Sequence, residues 1–170
     1  SIGQVATLPD AELEELERNA KSFSRNAEIP SPTEPAPPVL GALLDAVGGH
    51  ERDIWDALHA DLRKAPHEAF ATETGFVQSE IRHAMRRLPR WMRPQRRRSP
   101  LIAWPARSFV VPEPRGVALI IGPWNYPFQL LLSPAVAALA AGNCVCLKPS
   151  ELAPNVSAVV RRMIQSVFPP

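Results

Sequence analysis

The sequence is short of cysteine, of net charge and of long apolar runs. Its two cysteines, Cys144 and Cys146, stand two positions apart in an apolar stretch. On a strand such a pair points to one face. That spacing is poor for a disulfide and supplies at most half of a metal site, so both are expected to be small buried hydrophobes. A formal net charge of +2 does not by itself demand a polyanionic partner. No segment approaches the roughly 18 uninterrupted apolar residues of a membrane span, and the best candidate, Leu130 to Ala141, is broken by Ser133 and Pro134. The N-terminus lacks the basic-then-apolar order of a signal peptide. It is acidic instead, through Asp10, Glu12, Glu14, Glu15 and Glu17, and a cytoplasmic location is expected. The chain begins with serine, which suggests trimming at its start.

What is present in excess is proline, at 20 of 170 residues, where average usage of about 5% gives roughly half as many. Hydrophobic content of 45% fits a globular chain with its own core. Behind Pro9 and the candidate N-cap Asp10, Leu13, Leu16, Ala20 and Phe23 form one helical stripe. The stretch from Ile29 to Val39 is interrupted by prolines, which cannot donate a backbone hydrogen bond and hold their predecessors extended, so it reads as a linker. Residues 1–39 are therefore expected to be an N-terminal helix with a proline-rich tether.

Residues 40–98 read as a helical segment. Leu40 to Val47 makes a short helix stopped by Gly48 and Gly49, and Glu51 to Lys64 makes a second, ended by Pro66. A third carries Val77, Ile81, Ala84, Met85 and Leu88 on one stripe, and Pro89 is expected to kink or stop it. Arg82, Arg86, Arg87, Arg90, Arg93, Arg96, Arg97 and Arg98 follow with no acid among them. This basic run suits a solvated helix end, where positive charge meets the negative end of the helix dipole. With Trp91 nearby it could also meet a phosphate backbone, but no nucleic-acid binding module surrounds it, so that partner is not expected.

From Ile102 the period changes. Ser108 to Pro112 and Gly116 to Ile121 read as strands, and the consecutive apolar residues of VALII predict a strand covered on both faces. A buried helix follows and stops at Gly142. CVCLK is another strand, and a last helix begins near Pro154 or Asn155. Strand, helix, strand, helix is one parallel βαβ unit with a trailing helix. The fold class is α/β: N-terminal helices followed by the βαβα start of a Rossmann-like parallel sheet. Two parallel strands cannot make a covered sheet alone, so the sheet is incomplete and the chain is expected to be a fragment.

Two motifs end the parallel strands. GPWNYPF begins at Gly122, which lets backbone approach a ligand, and Asn125 offers an amide donor suited to a developing oxyanion. In an open α/β sheet, ligands bind at this edge. LKPSE ends the second strand. There Lys148 can donate to ribose hydroxyls or phosphate and Glu151 can accept from a ribose hydroxyl. The plainer alternatives are an asparagine used for turn geometry and a surface Lys–Glu pair of little energetic weight.

Taken together, EPRGVALIIGPWNYPFQLLLSPAVAALAAGNCVCLKPSELAP, with ATETGFVQSEIRHAMRRLPRWMRP and PARSFVVPEP upstream, resembles the aldehyde dehydrogenase superfamily in its class 3-like branch. The resemblance covers roughly residues 40–168. It implies that Asn125 is the oxyanion donor and that Tyr126 lies near the substrate tunnel. It implies further that Ile121, Gly122, Pro123 and Trp124 line the nicotinamide side and that Lys148 and Glu151 contact the adenosine ribose. The implied cofactor is NAD or NADP, for which residues 99–170 would begin the binding domain. The implied substrate is an aldehyde, the implied assembly of the full-length enzyme a homodimer. The family's nucleophilic cysteine, general-base glutamate and Gly-rich turn are not in this sequence. The chain alone is thus expected to be inactive, the alternative being a catalytically dead remnant that acts as a binding module.

Overall fold

The computed structural model describes residues 38–168. The expected first helix and nearly all of the proline-rich stretch lie outside the described residues. Pro38 opens helix α1, Pro38–Gly49, where its fixed φ and missing N–H cost nothing in the first turn. Helix α1 buries Leu40, Leu43 and Val47. Helix α2, Glu51–Leu62, buries Ile54, Ala57 and Leu58. It stops before Pro66, at Arg63, whose left-handed φ of 58° aims its N–H back at the His59 carbonyl.

Pro66 does not end a helix but begins one. Helix α3, Pro66–Ala69, runs through a π turn, Phe70–Thr74, into α4, Gly75–Trp91. The wider turn re-phases the faces and buries both Glu73 and Thr74. Beyond it Val77, Ile81, Ala84 and Leu88 face the core as the stripe predicts. Pro89 does not stop α4, because Met92 N–H still reaches the Leu88 carbonyl at 3.0 Å. Pro94 follows the helix end and disfavours helical backbone at Arg93.

The basic run is therefore not all helix end. Arg96 and Arg97 stand on β1, Gln95–Arg97, which pairs antiparallel with β2, Ser108–Val110. All three residues of β1 are exposed, and so are Leu101, Ile102 and Trp104 between the two strands.

The βαβα order is as read. Strands β3, Val117–Ile121, and β4, Cys144–Lys148, pair in parallel, joined by α5, Gln129–Ala140, and followed by α6, Pro154–Val167. Helices α1, α4 and α5 pack together, α2 and α1 pack on α6, and α5 lies on the sheet. Phe128, Leu131, Leu132, Val156, Val160 and Met163 join the helical core there.

The expectation of a strand covered on both faces does not hold among the described residues. Ile120 is buried, but Leu119 is 56% and Ile121 66% exposed, because only one face meets α5. The cysteines differ as well. Val145 and Leu147 of β4 pack against the core, while Cys144 and Cys146, on the alternate face, are half-buried. That burial still raises the Cys144 thiol above its ordinary pKa. Among the described residues no helix is long and apolar enough to cross a membrane.

Candidate functional site

The parallel register sets the geometry of the site. Ile121 pairs with Lys148, and the next N–H, of Gly122, donates to the Lys148 carbonyl at 3.0 Å. The loops after β3 and β4 therefore leave the same sheet edge side by side. Ile121, Gly122, Pro123, Trp124, Asn125 and Tyr126 lie on one, Lys148 and Glu151 on the other. Asn125 is exposed, as are Trp124 and Tyr126.

Gly122 is also needed for packing. It is buried, and a Cβ on it would lie 3.1 Å from both Cβ and Cδ1 of Leu131. Its missing side chain admits Leu131 of α5 to the strand end. Asn143, in the turn before β4, fixes the other end of the strand pair. Its Oδ1 accepts from Arg115 N–H at 2.7 Å and Gly116 N–H at 2.9 Å.

Lys148 Nζ donates to Glu151 Oε2 at 2.9 Å, with side-chain exposures of 53% and 77%. The Lys148 hydrogen bond, a bond from the Glu151 backbone N–H and the Lys148 charge hold the Glu151 carboxyl below its ordinary pKa. Here an ammonium and a carboxylate stand on the solvent side of the sheet edge. One is a donor and the other an acceptor.

A second Lys–Glu pair was not legible as part of this site. Glu73 has no exposed side-chain surface, and its Oε1 accepts from Lys64 Nζ, itself 8% exposed. Its Oε2 accepts from the backbone N–H of Phe128 at 3.2 Å and of Gln129 at 2.8 Å. Those two N–H groups open α5, immediately after the Asn125–Tyr126 loop. Lys64 Nζ also sits 3.9 Å from the centroid of the Tyr126 ring. One signal pointed to Glu73. It stands four residues before Val77 and eight before Ile81 on the same apolar stripe, where an acid is out of place. Lys64 carried no such signal.

Among the described residues no cluster of three or more His, Cys, Asp or Glu side chains could hold a metal ion. Cys144 lies at the opposite end of β4 from the site, paired with Val117.

Comparison with known proteins adds a family context. The profile of the aldehyde dehydrogenase family matches residues 1–170. An aldehyde dehydrogenase of Craterostigma plantagineum is 44% identical over 125 residues, which are 74% of this chain and 26% of that protein. Aldehyde dehydrogenase family 3 member H1 of Arabidopsis thaliana is 39% identical over 131 residues, 77% of this chain and 27% of that protein. The substrate-bound structure of AldH from Staphylococcus aureus superposes with a TM-score of 0.86 at 38% identity, over 92% of this chain and 34% of that one. The chain thus spans about a quarter of the length of the curated relatives it matches.

Proposed function

The chain belongs to the aldehyde dehydrogenase family, and from that premise we propose that it forms the N-terminal part of an NAD(P)-dependent enzyme that oxidises aldehydes to carboxylic acids. The observation that carries the reading is the register: PWNYP and LKPSE leave adjacent parallel strands at one edge, with Ile121 beside Lys148. A Rossmann-like sheet offers its nucleotide crevice at that edge.

On this reading Asn125, exposed at the rim, donates its amide N–H to the oxygen of an aldehyde carbonyl as a nucleophile adds to it. Tyr126 borders the aldehyde. Ile121, Gly122, Pro123 and Trp124 form the wall on the nicotinamide side. Lys148 donates to, and Glu151 accepts from, the hydroxyls of the adenosine ribose. A carboxylate at that place repels a 2′-phosphate, so it favours NAD over NADP without closing the site to either. The dinucleotide, when bound, supplies the hydride acceptor. The nucleophile comes from outside this chain, because Cys144 and Cys146 lie along β4, away from Asn125. The 170-residue chain by itself therefore shows no turnover.

The test uses the enzyme that carries this chain together with the rest of the family's catalytic domain. Asn125→Ala lowers kcat for aldehyde oxidation about 10²- to 10³-fold, while the dissociation constant of the dinucleotide stays unchanged. An Asn125→Ala enzyme with full kcat sinks the assignment.

A further inference from the structure

We infer that Lys64 and Glu73 are positioning residues for the strand-end site: together they hold the Asn125–Tyr126 loop from behind. The inference rests on the dehydrogenase reading for what the loop is used for, but not for the contacts themselves. A buried ion pair is weak evidence of a contribution to stability, since well-packed apolar side chains often do as well. Its presence here is explained by what else the two charges hold. Glu73 divides its oxygens, one on the Lys64 ammonium and the other on two backbone N–H groups that open α5. Lys64 is shared as well, between that carboxylate and the face of Tyr126, 3.9 Å away.

The loop 122–128 is therefore fixed at three points. Gly122 is tied to the Lys148 carbonyl and packed under Leu131, Tyr126 rests on the Lys64 ammonium, and Phe128 is tied to Glu73. Asn125 lies between these anchors, so its position is set without any ligand. Glu73 lies within the π turn Phe70–Thr74, where it is buried. Such turns are found at functional sites more often than elsewhere. The chemistry also specifies a carboxylate. Every group bonded to the Glu73 carboxylate is a donor, and a glutamine would have to aim its own N–H₂ at one of them.

The experiment uses NMR on the 170-residue chain, with neither aldehyde nor dinucleotide. An inactive enzyme would then count against the dehydrogenase reading and leave this inference untouched. In Glu73→Gln, amide hydrogen exchange at Phe128 and Gln129 is expected to accelerate roughly tenfold or more, the equivalent of one hydrogen bond to a charged acceptor. Leu132, whose N–H bonds to the Phe128 carbonyl inside α5, changes much less. Equal acceleration at every amide, or none at Phe128 and Gln129, overturns the proposal. A second measurement leaves the buried pair intact. The Lys64 ε-methylene protons are expected to be shifted upfield by the Tyr126 ring. The shift is retained in Tyr126→Phe, which keeps the ring, and lost in Tyr126→Leu. An unshifted Lys64 resonance, or one indifferent to Tyr126→Leu, overturns it as well.

Discussion

Two Lys–Glu pairs stand near the same sheet edge, and they have little in common beyond their chemistry. Lys148 and Glu151 are three residues apart, exposed, and bonded to each other on the solvent side. Lys64 and Glu73 are nine residues apart and buried, one on either side of Pro66, and each also holds a second group. Water solvates the first pair whether or not its members meet, so the pair is available to a ligand at little cost. The second pair has no water to fall back on, and its geometry is imposed by everything packed around it. At one edge the fold thus supplies a rigid support behind the loop and an adaptable polar pair in front.

The largest expected effect comes from breaking the buried pair. Lys64→Met leaves the Glu73 carboxylate without its counterion and should lower unfolding free energy by about 3–5 kcal/mol, measured by urea titration. Replacing both residues with apolar ones sharpens the contrast. An isolated buried pair can often be replaced without loss, but Lys64→Met with Glu73→Leu should remain about 1–3 kcal/mol below the starting protein, because the Phe128 and Gln129 N–H groups lose their acceptor. Full recovery in the double variant would mean that these two bonds carry no stability.

Asp61 is the intermediate case. Its carboxylate, from α2, accepts from Asn155 N–H at 3.3 Å, from the Asn155 amide at 2.6 Å and from Val156 N–H at 2.9 Å, capping α6 at a half-buried position. Asp61→Ala should cost about 0.5–2 kcal/mol in the same titration, the range of a helix cap.

The smallest effect belongs to the exposed pair. Lys148→Met should leave the thermal midpoint where it is and move the Glu151 titration upward, toward the ordinary glutamate value, as read by NMR of its side-chain carboxyl. The sign follows from the depressed pKa. Whatever the pair contributes is complete above the unfolded-state pKa of Glu151 and is lost as pH falls through its lower folded value. An unmoved Glu151 titration would mean that Lys148 is not what lowers it.

The exposed pair was legible because it is local. LKPSE places a cation and an acid three residues apart at the end of an apolar strand, and the motif can be read without knowing anything else. PWNYP was legible for the same reason, with Gly122 and two prolines marking the turn. Gly122 shows the limit of such reading. The turn pattern does not show that a side chain there would crowd Leu131, nine positions along the chain on α5. Pro66 and Pro89 show another limit. A proline at a first helical position and one within a last turn look the same in a sequence: Pro66 was read as a helix stop and Pro89 as a kink or a stop. The basic run was assigned to a helix end because the pairing of Gln95–Arg97 with Ser108–Val110 depends on a connection the local pattern does not encode.

By itself, then, the sequence determined helices α1, α2 and α4, the order β3, α5, β4, α6 and the two motifs at the parallel strand ends. Those follow from hydrophobic period, turn residues and helix stops, all of which act over a few neighbouring positions. Tertiary structure alone decided that Glu73 of a π turn would meet the first N–H groups of α5, more than fifty residues away, and that Lys64 would lie under Tyr126. The reason is that burial and pairing belong to surfaces brought together by the whole chain. A charged side chain is stable in a core only when its distant partners have all arrived.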